Sequence, residues 1–414
     1  ACGKETPVGL GADDLAALRE LAALPVFAAA RMKLQAVRGA LAATTLPAET
    51  VDLLYGRELE SSVGALEEFA ACPFKFFAAR GLGLEERREF QFDDRDLGSF
   101  QHEVLREFHR RLRAQGRRWR DVNAAEARVM VDQIARDLLP GYERGKFQAS
   151  ARAKFAAEVV IVQLDRLIGV LVEWMRQYEF DPIAAELSFG LEKDDLPAWR
   201  VEFSDGHALI LRGRMDRLDV CFQDEAAWAV VMDYKSSARE LDPIKLHHGL
   251  ELQLLAYLCA LEQIGEVAGK LEVQQIVPAG AFYVPLSGDA NSGRRPQTRD
   301  EAAQIAVEER RLAYQHAGRF RSDALPLLDN RDATEGDQFR YRRKQDGALA
   351  ATVRDPMPPE AFRELLLRIA THIREFAQRI FQGEVAVAPY RIRKETACDY
   401  CAFRAVCRFD PWTD

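Results

Sequence analysis

Two aspartates and a lysine in the middle of the chain have the types and spacing to do chemistry. Asp216 lies within the run LILRGRMDRLDV, and Asp233 lies in AWAVVMDYKSS, two residues before Lys235. A carboxylate is costly to place beside an apolar core unless a cation meets it. Side chains two positions apart on a strand share a face, so Asp233 and Lys235 point the same way. We therefore expect the two carboxylates to bind a divalent cation.

This set suits the hydrolysis of a phosphodiester. A hard divalent cation stabilises charge on the phosphoryl oxygens, generates a hydroxide-like nucleophile and supports the leaving alkoxide. Mg²⁺ prefers oxygen ligands and keeps several waters, so two carboxylates and a backbone carbonyl are a reasonable protein share. Lys235 could orient the attacking water or stabilise developing charge. The D-x-K tripeptide is common, and taken alone it favours a surface salt bridge between Asp233 and Lys235.

Two helical segments carry further candidates. Residues 98–112 show a 3.6-residue apolar stripe, with His102 between two of its positions and His109 seven residues on. A lone histidine on such a helix is more often packed or exposed than a ligand, and this is our prediction for His109. Gln253 and Tyr257 are four residues apart and lie on one helix face. Ordinary helix packing is the alternative for that pair.

Seven cysteines are present, and their number is odd. Cys221 and Cys259 sit in apolar surroundings, so we expect them to be small core residues. Cys398, Cys401 and Cys407 follow a C-x2-C-x5-C spacing near the C-terminus. A C-x2-C pair suits two ligands of one tetrahedral centre. The set is not spaced like a secreted disulfide framework, which predicts a reducing cytoplasm. The two cysteines of the seven not yet mentioned are Cys2 and Cys72.

Length and composition bound the class of protein. The 414 residues suffice for one large domain or two to three smaller ones. An apolar content of 48% and a charged content of 29% are ordinary for a soluble globular protein. There is no run of about 18 apolar residues, so we expect no membrane span, and no signal peptide is visible. The first residue is alanine, which indicates an excised segment or a processed chain.

The charge distribution limits how nucleic acid could be held. A net charge of −8 argues against binding through global positive charge. Two local clusters remain, seven arginines from Arg106 to Arg120 and a second group at residues 340–344. Each is expected to be a solvated face, with phosphate contact as the functional alternative. No G-x4-G-K-[ST] sequence occurs, so no ATP-driven motor is visible. The second group comprises Arg340, Arg342, Arg343 and Lys344.

Hydrophobic periodicity predicts a helical N-terminal segment followed by an α/β protein. Residues 1–56 are interpreted as a helical packing or connecting segment. Helices are expected at about 98–112, 124–139, 150–178, 249–264, 301–316 and 358–382. Strands are expected at about 184–191, 200–204, 207–220 and 226–233, mostly antiparallel, with a final strand near 274–285. The stretch at 286–300 reads as a loop within a loop-rich insert at about 286–358.

Four motifs in order resemble the PD-(D/E)XK nuclease superfamily, within its RecB-like branch. They are Gly98-x3-His102, the run Gly213 to Asp219 containing Asp216, Asp233-Tyr234-Lys235, and Gln253-x3-Tyr257. The resemblance implies a restriction-endonuclease-like core, a mixed central sheet flanked by helices. It implies that metal is bound by His102, Asp216, Asp233 and the backbone carbonyl of Tyr234, with Lys235 catalytic. Gln253 and Tyr257 would lie beside the site near DNA, and Glu186, in AELSFG, resembles a family glutamate on the first strand.

The cysteines extend the resemblance. Cys72 before Pro73, paired with Cys398, Cys401 and Cys407, is similar to the four-cysteine iron–sulfur staple of AddB-type nuclease domains, and implies a structural [4Fe-4S] cluster. Zinc is the chemical alternative, and disulfides are a third. The staple would enclose a nuclease domain at 57–414. Because it closes a long loop, it should couple cluster binding to folding.

The resemblance implies a Mg²⁺- or Mn²⁺-dependent deoxyribonuclease that processes double-strand-break ends for recombinational repair. Its partners would be DNA ends or single strands and a helicase-nuclease subunit, in the cytoplasm and away from membranes. Two alternatives stay open: a stand-alone exonuclease of the CRISPR-adaptation kind, and a non-catalytic scaffold that binds DNA ends. The intact set at His102, Asp216, Asp233 and Lys235 argues against the scaffold.

Overall fold

The computed structural model describes residues 45–85, 93–191, 196–264, 266–288, 298–407 and 409, and before residue 45 only 16–17, 20–21, 24–30 and 32–33. The strands are β1 Glu58–Ser62, β2 Asp181–Phe189, β3 Trp199–Glu202, β4 Ala208–Gln223, β5 Ala226–Lys235, β6 Gln275–Pro285, β7 Ala317–Arg321, β8 Pro356–Met357, β9 Arg391–Ile392 and β10 Glu395–Thr396. The helices are α1 Ala48–Tyr55, α2 Val63–Ala71, α3 Pro73–Phe76, α4 Asp94–Ala114, α5 Ala124–Leu138, α6 Ala151–Trp174, α7 Pro243–His247, α8 Gln253–Gln263, α9 Glu266–Lys270, α10 Arg299–Tyr314, α11 Leu325–Leu328, α12 Pro359–Phe381 and α13 Arg404–Cys407. No helix in these ranges is both long and apolar enough to cross a membrane.

A mixed sheet organises the larger of two compact units, residues 55–70 and 85–378. Its order is β1-β4-β5-β6-β7-β8, with β2 and β3 also paired to β4. The β4–β5 and β6–β7 pairs are antiparallel, whereas β1–β4, β5–β6 and β7–β8 are parallel. Long apolar stretches in β4 and β5 are buried, as befits central strands. The predicted mixed sheet flanked by helices is confirmed.

The strand register determines which residues lie side by side at one end of the sheet. The last β4–β5 partners are Arg217 and Met232, so Asp216 and Asp233 follow them on facing strands. In the β5–β6 pair, Asp233 lies opposite Tyr283. In the β6–β7 pair, Tyr283 lies opposite Ala317. Residues that belong to four different strand segments therefore meet along one edge of the sheet.

Helix α4 covers this sheet and presents one apolar face. Asp93 caps its first turn, accepting the N–H groups of Arg95 and Asp96, while Asp96 accepts the N–H of Asp93 in return. The predicted stripe is fully buried: Phe100, Val104, Leu105, Phe108 and Leu112. It packs with apolar residues of α5 and α6 in one core. Periodicity alone therefore predicted both this helix and its buried face.

His109 is a packed residue, as predicted. It is buried, and the indole Nε1–H of Trp119 donates to its Nδ1 at 3.2 Å. Trp119 in turn stands edge-on to Phe108, with ring centroids 5.0 Å apart. The imidazole is therefore held as a hydrogen-bond acceptor inside the core.

The sheet differs from the prediction in two features, whereas the antiparallel pairing expected among β2, β3, β4 and β5 is confirmed. Strand β1 was not expected, because ELESS contains a single buried apolar residue, Leu59, and forms a strand only by pairing Glu58 with Ala208. Strand β6 is not the last of the sheet, since β7 and β8 follow it, and it runs parallel to β5. The pairing of β1 and the strands beyond β6 were missed because short runs carry no information on which strand they pair with.

The second compact unit comprises the described residues of 1–54, 71–84 and 379–414. Backbone hydrogen bonds join its distant segments: Phe74 N–H to Ala386 O at 3.0 Å, and Tyr390 N–H to Ala71 O at 2.9 Å. These bonds bring the chain around Cys72 beside the C-terminal segment. Most of the predicted helical segment 1–56 lies outside the described residues, as does Cys2, while α1 is helical as expected.

Candidate active site

Asp216 is the centre of the contacts at the sheet edge. Its Oδ2 accepts the backbone N–H of Tyr234 at 2.7 Å. Its Oδ1 lies 3.3 Å from Nδ1 of His102, which α4 carries to the site. The His102 ring also stands edge-on to the ring of Tyr234, with centroids 5.7 Å apart. One carboxylate therefore links the helix and the two strands that carry the other candidates.

Asp233 is buried and faces Lys235. The Lys235 Nζ lies 2.5 Å from Asp233 Oδ2, and the two groups form an ion pair that also lowers the pKa of Asp233 against the effect of burial. Lys235 also lies over the ring of Tyr283, 5.6 Å from its centroid. A carboxylate has about four lone-pair sites, so Asp233 can accept a cation in addition to this one ammonium.

The electrostatics of the site favour added positive charge. Burial raises the pKa of Asp233, the nearby Asp216 charge raises it further, and the positive charges of Lys235 and His102 oppose the rise. Burial alone would lower the pKa of His102, but the contact with Asp216 and the charges of Asp233 and Glu186 raise it. Two carboxylates that repel each other are stabilised by a shared cation.

The ligand atoms suit a hard divalent cation, although each contact in this structure joins only two of the side chains. The carboxylates of Asp216 and Asp233 and the imidazole of His102 converge on this end of the sheet, and these are ligand types that such a cation accepts. Within the described ranges, no three His, Cys, Asp or Glu residues are close enough together to hold a metal ion as they stand. The predicted ligands are thus brought together, while their role as ligands stays a prediction.

Gln253 and Tyr257 share one face of α8 and contact each other. The amide Nε2–H of Gln253 donates to the Tyr257 hydroxyl at 2.9 Å. The Tyr257 ring stands edge-on to Phe189 of β2, with centroids 5.9 Å apart. A Cβ on Gly213 would lie 2.7 Å from Phe189 and 3.0 Å from Tyr257. The glycine of the second motif therefore lets α8 and β2 approach β4 closely.

Glu67 is a positioning residue that the sequence did not reveal. Its Oε1 accepts the backbone N–H groups of Leu252 and Gln253, at 2.6 and 2.8 Å, at the start of α8. Burial raises the pKa of Glu67, and these two donors oppose that rise. The carboxylate also suits the positive end of the helix dipole. Glu67 lies 185 residues from Leu252, so no local pattern could have indicated this cap.

Glu186 has an unusual backbone beside the site. Its φ is 54°, a left-handed conformation that a side chain other than glycine rarely adopts. Arg214 Nη1 lies 3.3 Å from its Oε2, and Arg106 Nε lies 4.0 Å from the same oxygen. Such strain persists where surrounding contacts fix it, often at functional sites. The charge of Glu186 also raises the pKa of His102, so the structure places Glu186 beside the site.

A buried ion pair lies under the site on the opposite face of β4. Arg217 and Asp219 are almost fully buried and form two hydrogen bonds of 2.8 Å. Arg217 also donates to the Tyr234 hydroxyl at 3.3 Å and lies over the Trp119 ring at 5.0 Å. A buried bidentate pair with further partners is rigid. It fixes the side chain of Tyr234, whose backbone N–H holds Asp216.

The four predicted cluster cysteines lie in one neighbourhood. The six cysteines that the structure describes are all free thiols. Burial raises the pKa of the Cys398 thiol, and the charges of Cys401, Cys407 and Cys72 add to it. Backbone N–H groups at Lys75 and Ala388 oppose the rise at Cys72. Thiols that repel one another and accept N–H groups are suited to a shared metal centre.

Comparison with known proteins agrees with this geometry. A sequence model of the PD-(D/E)XK nuclease superfamily matches residues 60–408. The chain is 36% identical over 371 residues to an ATP-dependent helicase/deoxyribonuclease subunit of Symbiobacterium thermophilum, covering 89% of this chain and 31% of that protein. The protein of the same name from Moorella thermoacetica is 35% identical over 365 residues, covering 86% and 30%. The chain therefore spans about 30% of the length of these curated relatives.

Proposed function

This chain belongs to the PD-(D/E)XK nuclease superfamily, and we propose that it is a metal-dependent deoxyribonuclease domain. One observation supports this most directly. The carboxylates of Asp216 and Asp233 and the ammonium of Lys235 converge at one end of the sheet. The Asp216 charge raises the pKa of the buried Asp233, and a divalent cation between the two carboxylates would offset this repulsion.

His102, Asp216 and Asp233, with the backbone carbonyl of Tyr234, would hold the Mg²⁺ or Mn²⁺ ion. When bound, such an ion would stabilise charge on the phosphoryl oxygens and make a water more acidic. Lys235 places a positive charge and N–H donors beside Asp233, where it can orient the attacking water and stabilise developing charge. Tyr283 supports Lys235 from the neighbouring strand.

Gln253 and Tyr257 are proposed to face the DNA strand. The Gln253 amide fixes the Tyr257 hydroxyl, and Glu67 fixes the start of their helix. Binding holds the scissile phosphodiester near the carboxylates, which is a large part of what an active site contributes to rate.

The relatives' name extends the proposal to a larger assembly. They are named as subunits of an ATP-dependent helicase/deoxyribonuclease, and this chain spans only about 30% of their length. We propose that the domain acts with a helicase subunit on broken DNA ends during repair, in the cytoplasm. The sequence itself contains no G-x4-G-K-[ST] motif, so the motor would lie elsewhere.

A [4Fe-4S] cluster on Cys72, Cys398, Cys401 and Cys407 is part of the proposal, with zinc as the alternative. The mutual effects of these thiols on the pKa of Cys398 support a shared centre. Its role would be to hold the chain around Cys72 to the C-terminal segment. Iron and zinc analysis with a visible spectrum of anaerobically purified protein distinguishes the two metals.

Cleavage of strands labelled at either end, with Mg²⁺, Mn²⁺ or EDTA, tests the enzymatic function. Wild type should cut only with metal, and Lys235→Ala should not cut. Lys154→Ala, an exposed lysine on α6, is the matched control and should cut like wild type. If wild type binds DNA but never cuts with either metal, the scaffold function is correct. If Lys235→Ala cuts normally, the assigned chemistry is wrong.

A further inference from the structure

A second polar pocket lies at the same sheet edge as the candidate site. It is a cavity of about 640 Å³. The charged residues that matter here are four arginines and three carboxylates, and we call the set the arginine pocket. They are Arg319, Arg340, Arg342, Arg354, Glu240, Glu335 and Asp355.

The pocket is adjacent to the site through strand register. Ala317, which lines it, pairs with Tyr283, and Tyr283 pairs with Asp233. Neighbouring strands lie about 4.8 Å apart, so Ala317 is about 10 Å from Asp233 across the sheet. Glu240 follows Lys235 by five residues and reaches the pocket from the same end of β5. A strand of DNA at Asp233 would therefore reach the pocket within about three nucleotides of B-form rise.

Two guanidinium groups of the pocket have carboxylate partners and still have N–H donors that are not used in hydrogen bonds. Arg340 pairs with Glu240, and Arg342 donates one hydrogen bond of 2.8 Å to Glu335. A guanidinium has five N–H donors, so most of them are left for a further acceptor. The carboxylates thus hold the arginines in place without using up their donors.

Two arginines give the pocket its positive character. Arg319 is buried, donates to the carbonyls of Gly318 and Leu241, and lies 3.7 Å from Asp355. Arg354 is exposed and has no hydrogen bond or ion pair with any residue that the structure describes. Burial lowers the pKa of Arg319, and the nearby Arg354 charge adds to that. An anion between the two would relieve this repulsion.

The arginines of the other cluster predicted from the sequence are engaged differently. On α4 and the loop after it, Arg110 and Arg111 pair with Glu107, and Arg117 forms two hydrogen bonds with Glu126. These are surface pairs in which each of the three arginines has a carboxylate partner, whereas the pocket also holds Arg354, which has none among the described residues. They match the predicted solvated face. The arginine pocket is therefore the better candidate for phosphate.

We propose that the arginine pocket binds a backbone phosphate of the DNA strand that passes the candidate active site. This rests on the proposed function, because the strand is placed by the carboxylate site. Arg354 and Arg340 would contact the phosphate from the exposed side, with Arg319 behind them. The contact positions the strand and reads no sequence.

Salt-dependent binding of a fluorescent single strand of about 20 nucleotides, longer than typical single-strand sites, tests the pocket. Fluorescence anisotropy is measured in EDTA, so that no cutting occurs. Each phosphate contact on a single strand contributes about 0.7 to the slope of log K against log salt. Arg354→Gln should reduce the slope by about that amount, and Arg354→Lys should restore it. Glu240→Gln, which frees Arg340, should steepen it.

Arg166→Gln is the matched control, an exposed arginine on α6 with the same change of charge, and should leave the slope unchanged. If Arg354→Gln keeps the wild-type slope, the proposal that the arginine pocket binds a phosphate is wrong, whatever the other variants show. Cutting by the same preparations separates the two proposals. If wild type cuts but Arg354→Gln keeps its slope, only the pocket fails. If wild type never cuts but the slopes change as expected, the pocket stands and the nuclease function fails.

Discussion

The backbone N–H of Tyr234 donates a 2.7 Å hydrogen bond to Oδ2 of Asp216. This bond joins β4 to β5 one residue beyond their last regular pair, at the point where Asp233 and Lys235 follow. Asp216 therefore has two functions that can be separated: it accepts a structural hydrogen bond, and it supplies negative charge. Variants that keep the acceptor but remove the charge isolate the second.

Asp216→Asn should lose cutting while the fold persists. The amide oxygen can still accept the Tyr234 N–H, but the charge needed for the cation is gone. Loss of a partner of a metal ligand typically costs 10–100-fold, so loss of a ligand should cost at least about 100-fold in cleavage. Cleavage rates and Mn²⁺ affinity give the comparison with wild type.

Thermal unfolding supplies the control for this variant. Because Asp216 raises the pKa of Asp233 by repulsion, its neutralisation should not lower stability in the absence of metal. A variant that cuts like wild type would show that Asp216 is not a ligand. A variant that unfolds would show that the Tyr234 bond requires the carboxylate.

Cys398→Ser should lose bound metal and destabilise the unit that contains it. The charges of the other three cysteines of the set raise the pKa of the Cys398 thiol, which is the first cysteine of the C-x2-C pair. Metal content and the unfolding midpoint are measured together. Cys259→Ser is a control, because Cys259 is a buried thiol that donates to the Leu366 carbonyl, and its replacement should leave metal content unchanged. Retention of full metal content by Cys398→Ser would contradict the shared centre.

The sequence predicted what depends on local pattern. The stripe on α4 is periodic over four turns, and all five of its predicted residues are buried. The apolar runs of β4 and β5 have the length and composition of central strands, so their boundaries were nearly correct. Motif order then grouped His102, Asp216, Asp233 and Lys235, which the structure brings to one edge.

What failed depends on pairing between distant residues. Strand β1 exists because Glu58 pairs with Ala208, and ELESS has no strand signal of its own. Tyr283 supports Lys235 only because β6 lies parallel to β5 with Asp233 opposite it. Glu67 caps a helix that begins 186 residues later at Gln253. Register and long-range capping have no sequence period, so periodicity cannot reveal them.

Glu67→Ala should weaken both the fold and DNA handling. It removes the acceptor of two N–H groups at the start of α8, and loss of such a cap costs about 1–2 kcal/mol. Since Gln253 is the first residue of that helix, KM for DNA should rise more than kcat falls. Urea unfolding and cleavage kinetics measure the two effects.

Glu67→Gln is the matched variant, because it keeps one carbonyl oxygen and loses the charge. It should recover most of the stability and part of the KM. Equal losses in the two variants would mean that charge, not the hydrogen bonds, is what Glu67 contributes. No loss in either would show that α8 is positioned by packing alone.

His109 predicts how stability depends on pH. Burial lowers its pKa to about 4, helped by Arg113 and Arg217, whereas an unfolded histidine titrates near 6.5. Between these values the unfolded chain binds more protons than the folded one. The contribution of His109 to the free energy of unfolding is therefore fully present above about pH 6.5. It decreases as the pH falls to about 4, by at most about 1.4 kcal/mol per pH unit. His109→Gln, whose oxygen can still accept the Trp119 N–H, should show a shallower fall in urea unfolding between pH 7 and 5. The exposed His248→Gln should keep the wild-type slope, and a wild-type slope in His109→Gln would mean that other groups set the acid sensitivity.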